Sequence, residues 1–172
     1  LSKAGNPDQH RSERDRVMGR PKTGSDAWRL LVDGNQNFVH GTPAHPRQDA
    51  DVRRAIANKQ TPFAALFGCS DSRLAAEMIF DVGLGDLFVV RNAGQVIAET
   101  ILGSLEFAVE VLKVPLILVL GHDECGAVRA TMDASAGKLE LEGEFIHKLV
   151  DRIMPTVERS HAAGETSIDD IT

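Results

Sequence analysis

Both cysteines of the chain stand just past apolar runs, and each has polar company. Phe63 to Gly68 leads into Cys69-Ser70-Asp71-Ser72-Arg73, and Pro115 to Leu120 leads into Gly121-His122-Asp123-Glu124-Cys125-Gly126. Two thiolates and one imidazole form a compact, soft set of donors that suits zinc, and a tetrahedral ion held by three such donors keeps a fourth position open. That open position separates a catalytic site from a structural one. The spacing His122-x-x-Cys125 carries little weight by itself. Cys69 adds weight because it occupies the equivalent place behind a second apolar run, and Gly68, Gly121 and Gly126 permit tight loops beside the donors. A disulfide is the other use that two cysteines allow, but thiols stay reduced in a reducing compartment and are then available to a metal.

The neighbours of these donors carry chemistry of their own. Asp71, two residues beyond Cys69, can accept a hydrogen bond from a nucleophile at the metal, and Arg73 can hold it in a bidentate pair that keeps it ionised. The plainer reading of the same two residues is a surface ion pair or a helix cap. The backbone N–H of Gly126, at the positive end of the helix that follows it, is a candidate anchor for a substrate oxygen.

These motifs need strands to deliver them. Apolar runs at Phe63–Phe67, Leu87–Val90 and Leu116–Leu120 alternate with helical patterns at Ala75–Phe80, Glu99–Leu112, Gly126–Ala136 and Phe145–Arg159. Such alternation predicts an α/β fold with a mainly parallel β-sheet flanked by helices, and its almost wholly apolar strands predict cover on both faces. In open α/β sheets ligands gather at the carboxyl ends of strands, which is where Cys69 and His122 fall. Ahead of the sheet, Ser25 can cap a helical arm with Trp28, Leu31, Val32 and Phe38 on one face, and a shorter helix is expected around Val52–Asn58. Residues 1–24 read as a flexible tail that begins without Met, and 25–172 as a single α/β domain.

Bulk properties narrow the function classes. The chain of 172 residues is 42% hydrophobic, enough for one globular core. Its formal charge is −6, with no basic block to follow a phosphate backbone, so nucleic acid is not an expected partner. The longest apolar runs are too short to span a bilayer, which predicts no membrane association and a cytoplasmic protein.

Cys69-Ser-Asp-Ser-Arg73, Val90-Arg-Asn-Ala-Gly94 and Gly121-His-Asp-Glu-Cys125-Gly126, in this order, resemble the β-class carbonic anhydrases over roughly Trp28 to Arg159. The resemblance implies a zinc lyase, a carbonate dehydratase that interconverts carbon dioxide and bicarbonate, acting as a homodimer or a tetramer of dimers. It assigns zinc ligation to Cys69, His122 and Cys125. It makes Asp71 a conditional fourth ligand, since some members of the class close the site with this carboxylate, and leaves Arg73 to decide between the two states. It also matches Gln60, two residues before Pro62, to a substrate-binding glutamine that reaches the metal site across a dimer interface. Two departures from the class stand out. Leu66 takes the place of a Trp that lines a non-catalytic bicarbonate pocket in some members, and the family usually continues beyond Thr172 through a further strand and helices, so the C-terminal part of the usual fold is expected to be missing. The competing expectations are a carbon disulfide or carbonyl sulfide hydrolase on the same scaffold, and a non-catalytic zinc-binding module.

Overall fold

The computed structural model describes residues 20–165, 167 and 168. The tail expected over residues 1–24 therefore lies largely outside the described residues. The elements run α1 (Gly24–Val39), α2 (Ala50–Ile56), β1 (Ala64–Cys69), α3 (Ala76–Ile79), β2 (Leu87–Asn92), a 3-10 turn (Ala93–Gln95), α4 (Glu99–Glu110), β3 (Ile117–Leu120), α5 (Gly126–Ser135) and α6 (Glu144–Ala162). The three strands form one sheet in the order β2-β1-β3. Pairing advances in the same direction along neighbouring strands, because the Phe63 N–H donates to Asp86 O and the Ser70 N–H to Asn92 O, each at 2.8 Å. The sheet is parallel and flanked by helices, as the alternating pattern predicts.

Central strand β1 is buried along its whole length. Edge strand β3 differs from the expectation of cover on both faces, since Ile117 and Val119 are exposed and alternate with partly buried Leu118 and Leu120. With β1 on one side only, β3 has fewer neighbours to cover it. Among the described residues no helix is long and apolar enough to cross a membrane.

Contacts divide the chain into two compact units, each considered by itself. The first comprises the chain up to Leu66, Ala75–Val89 and Gly103–Leu118. Thr23, not Ser25, caps α1: its hydroxyl oxygen accepts the Asp26 N–H at 3.1 Å. Ser25 lies one residue inside the helix, too late to serve. The buried stripe of α1 is Ala27, Leu31 and Gly34, while Trp28 and Phe38 stay 48% and 44% exposed, so the expected apolar face is only partly covered. Gly34 brings α1 onto the end of α3, where a Cβ would fall 1.8 Å from the Phe80 carbonyl oxygen. Ala65, Ala108 and Val114 form one buried cluster of this unit, with Phe88, Leu105 and Leu112 packed against them.

Two buried carboxylates fix the loops of this unit. Asp86 pairs with Arg47 and accepts the Gly83 N–H at 2.8 Å. Asp81 accepts from the Asn37 side-chain amide at 2.8 Å and from the backbone N–H groups of Ala44 and His45 at 2.9 Å. Burial works to raise the Asp81 pKa, but these three donors together outweigh it and hold the carboxyl below its ordinary value. On acidification the unfolded chain therefore takes up this proton first. The stability that Asp81 contributes is complete above its unfolded pKa of about 4 and is lost as pH falls through the lower folded value. Asp81→Asn should cost about 1–2 kcal/mol at neutral pH, and the gap from the parent should narrow below about pH 4. Urea unfolding over a pH series checks this, and a gap independent of pH would contradict it.

Candidate metal centre

The second unit comprises Phe67–Leu74, Val90–Leu102 and the chain from Val119 onward, and it contains both motifs. Strand β1 runs out at Cys69, which is buried. The chain then turns through Asp71, whose carbonyl accepts the Leu74 N–H at 3.0 Å. Strand β3 ends at Leu120, and Gly121 to Glu124 lead to Cys125, also buried, at the start of α5. A tight turn is required there, as the positive φ of 54° at Glu124 shows.

The two loops bring three donors together. One donor atom from each of Cys69, His122 and Cys125 lies within 4.8 Å of the others. Both thiols are free, with their sulfurs 3.9 Å apart. A disulfide would require about 2.05 Å. Two Zn–S bonds of about 2.3 Å at a tetrahedral angle place the sulfurs about 3.8 Å apart, close to the observed separation. His122 completes the set. Its Nδ1 lies 2.8 Å from the Asp123 carbonyl oxygen, which can only accept, so Nδ1 carries the proton and Nε2 presents a lone pair. That Nε2 is buried and has no hydrogen-bond partner among the described residues. An orphaned imidazole nitrogen beside two thiols fits a soft metal ion and has no other evident use.

The electrostatics agree. Burial pushes the Cys125 thiol up, the backbone N–H groups of Val128 and Ala127 work against it, and Cys69 pushes it up further. A coordinating cation among these donors would favour the thiolate form that burial disfavours at Cys125.

Arginines secure the first loop. Arg73 donates from Nε to Asp71 Oδ1 and from Nη2 to Oδ2, both at 2.9 Å, and its backbone N–H also reaches Oδ1 at 2.9 Å. The side-chain hydrogen bonds from Arg73, with its backbone N–H, hold the Asp71 carboxyl well below the usual carboxylate range. The Arg73 guanidinium also donates to the Glu124 carbonyl at 3.1 Å, tying the first loop to the second. Arg91, on β2, donates from Nε to the Cys69 carbonyl at 2.7 Å and from Nη2 to the Asp71 carbonyl at 2.5 Å. One guanidinium thus fixes the backbone on both sides of Ser70.

The next wall comes from residues 92–96. The Asn92 side chain closes this loop, donating to Val96 O at 2.6 Å and accepting Val96 N–H at 2.8 Å. Gly94 has φ 68°, and a Cβ there would fall 2.7 Å from Ile153 Cδ1 and 3.0 Å from Ala127 Cβ, so only glycine lets the turn lie against α5 and α6. Helix α6 buries Val150, Ile153 and Val157 on one stripe, and the last two join Cys69, Cys125, Val128 and Ile168 in one apolar cluster.

Between these walls lies a cavity of about 430 Å³, reached by Cys69, His122 and Cys125 and lined further by Gln95, Val96, Ile97 and, from α6, Arg152, Ile153 and Thr156. Sequence reading missed the α6 contribution, because nothing local distinguishes Arg152 from other charges on an amphipathic helix. Gly126 is the first residue of α5, beside Cys125, and does not line the cavity. Gln60 lies exposed in the first unit, on the segment leading to Pro62 and β1.

Residues 64–171 match the sequence profile of the carbonic anhydrases. The chain belongs to the carbonic anhydrase family. It is 51% identical over 144 residues to a carbonic anhydrase of Mycolicibacterium smegmatis, covering 84% of this chain and 69% of that protein. Carbonic anhydrase 2 of Mycobacterium tuberculosis matches to the same extent. Among solved structures, a Coccomyxa β-carbonic anhydrase in complex with acetazolamide superposes with a TM-score of 0.59 at 25% identity, over 82% of this chain and 62% of that one. The fold of the β-carbonic anhydrase CcaA is similar as well, with a TM-score of 0.60 at 24% identity. The chain is thus a β-class member that spans about two thirds of these relatives' length.

Arg91 provides a test of the loop geometry. Arg91→Met should leave the fold intact and weaken metal binding by roughly 10–100-fold, the usual effect of removing a group that orients a ligand. Competition with a chromophoric chelator measures this, and unchanged affinity would contradict the clamp.

Proposed function

We propose that this chain is a zinc enzyme that interconverts carbon dioxide and bicarbonate. The observation that carries the reading is the convergence of Cys69, His122 and Cys125 beside a cavity, with an imidazole Nε2 that has no hydrogen-bond partner among the described residues. Family membership supports the same reaction. Cys69, His122 and Cys125 would hold zinc, the ion favoured by two thiolates and one imidazole. Such an ion acts as a Lewis acid that acidifies water to a pKa of about 7, supplying a nucleophile at neutral pH.

The rest is the work of the chain itself. Asp71 is ionised and so accepts hydrogen bonds only, which suits it to accept one from the hydroxyl of the nucleophile and so turn a lone pair toward carbon. Arg73 occupies both carboxylate oxygens and keeps Asp71 out of the converging set of donors. Asp71 is thus a conditional fourth ligand, with Arg73 as the restraint. The apolar wall of Val96, Ile97, Val128 and Ile153 suits a linear, uncharged substrate and limits the water beside it. Gln60 and the Gly126 N–H remain candidates for binding substrate oxygens, Gln60 from the partner subunit of a homodimer. A half-exposed apolar stripe on α1 and the uncovered face of β3 support that assembly, as a dimer or a tetramer of dimers.

Stopped-flow carbon dioxide hydration on metal-analysed protein tests the proposal. The parent should contain one zinc per chain and be active. Cys125→Ser should lose the metal, and Asp71→Asn should keep it while kcat/KM falls by roughly 100-fold. A zinc-loaded parent without hydration activity, or faster turnover of carbon disulfide or carbonyl sulfide than of carbon dioxide, would contradict the reading.

A further inference from the structure

The part of the cavity lining that α6 supplies has a chemistry of its own. Helix α6 contributes Arg152, Ile153 and Thr156 to it, and Arg152 and Thr156, four apart, share one side of the helix. Among the described residues Arg152 is the one permanently charged side chain that lines the cavity, and none of them lines it with a carboxylate. Among the described residues Arg152 makes no hydrogen bond or ion pair, whereas Lys148, one turn earlier, pairs with Glu144. The Thr156 hydroxyl oxygen accepts from Arg159 Nη2 at 3.1 Å, which leaves its own O–H free to donate.

Charge counting gives these residues a task. Two thiolates and a neutral imidazole offset a divalent ion, so the loaded centre has no net charge with which to hold an anion. Of the two carbon species in the proposed reaction, one is neutral and the other is a planar oxyanion. A guanidinium matches such an anion through a pair of parallel N–H donors, and gains little from carbon dioxide.

We propose that Arg152 and Thr156 form an anion subsite that binds bicarbonate within the cavity, separate from the metal ligands and from the Asp71–Arg73 pair. The inference rests on the proposed carbon dioxide–bicarbonate reaction. Because Arg152 is partly solvated, its contribution is that of a screened charge-assisted contact, and its loss should weaken bicarbonate binding by roughly tenfold. The reaction equilibrium ties kcat/KM in the two directions together, so direct binding is the better readout than turnover.

The test is titration with carbon-13 bicarbonate, followed by NMR line broadening, on zinc-loaded protein and again after zinc removal. Arg152→Gln should weaken binding by about tenfold in both forms with zinc content unchanged. Arg152→Lys should restore part of the affinity, and Lys148→Gln should match the parent. Parental affinity in Arg152→Gln, or an equal loss in Lys148→Gln, would overturn the subsite. Absence of carbon dioxide hydration by the zinc-loaded parent would defeat the reaction assignment instead, and the Arg152 comparison by NMR would still decide whether the cavity holds the anion.

Discussion

Two buried thiols 3.9 Å apart, beside an imidazole nitrogen without a partner among the described residues, set the constraint on which the second unit depends. Burial alone favours protonated sulfur, and a second sulfur nearby strengthens that preference. The arrangement is costly for thiolates and uninformative for thiols, but it becomes favourable once a soft cation lies among the donors. The surrounding architecture keeps the three donors in register. Parallel strands release both motifs at their carboxyl ends, and the apolar cluster around Val128, Ile153 and Val157 encloses the sulfurs. Helix α5 begins at the residue after Cys125, so the backbone amides of Ala127 and Val128 face the sulfur with the positive end of the helix.

Arginines divide the polar work around this centre. Arg91 fixes two backbone carbonyls and thereby the path of the Cys69 loop. Arg73 holds a carboxylate and links that loop to the one bearing His122 and Cys125. Arg152 reaches the cavity from a different element and has no internal partner among the described residues. The first two are consumed by the structure, whereas the third retains its donors for a ligand. The same residue type thus serves as a backbone clamp, a carboxylate restraint and an anion contact, according to what each guanidinium meets.

Much of this was legible in the sequence. Apolar runs fall within a few residues of β1, β2 and β3, because a strand buried in a parallel sheet must be almost wholly apolar. Cys69, His122 and Cys125 were legible as a set, since strand ends concentrate ligands and both cysteines follow such ends. Other features depend on partners that periodicity cannot name. The half-exposure of Trp28 and the edge position of β3 follow from what packs beside them, which a single chain's pattern does not encode. Thr23 rather than Ser25 caps α1 because the helix begins two residues earlier than the apolar pattern suggests. Arg91 acts on carbonyls 20 and 22 residues away, and Arg152 reaches the cavity from a helix whose local pattern shows only amphipathicity.

Whether the two strand-end loops hold one metal ion through two sulfurs and one nitrogen is decided by X-ray absorption at the zinc edge on the purified chain. One zinc per chain is expected, with two sulfur neighbours at about 2.3 Å, one imidazole nitrogen at about 2.0–2.1 Å and a single further light-atom neighbour. A chain that binds no metal when zinc is supplied, or a zinc shell without both sulfurs, would contradict it.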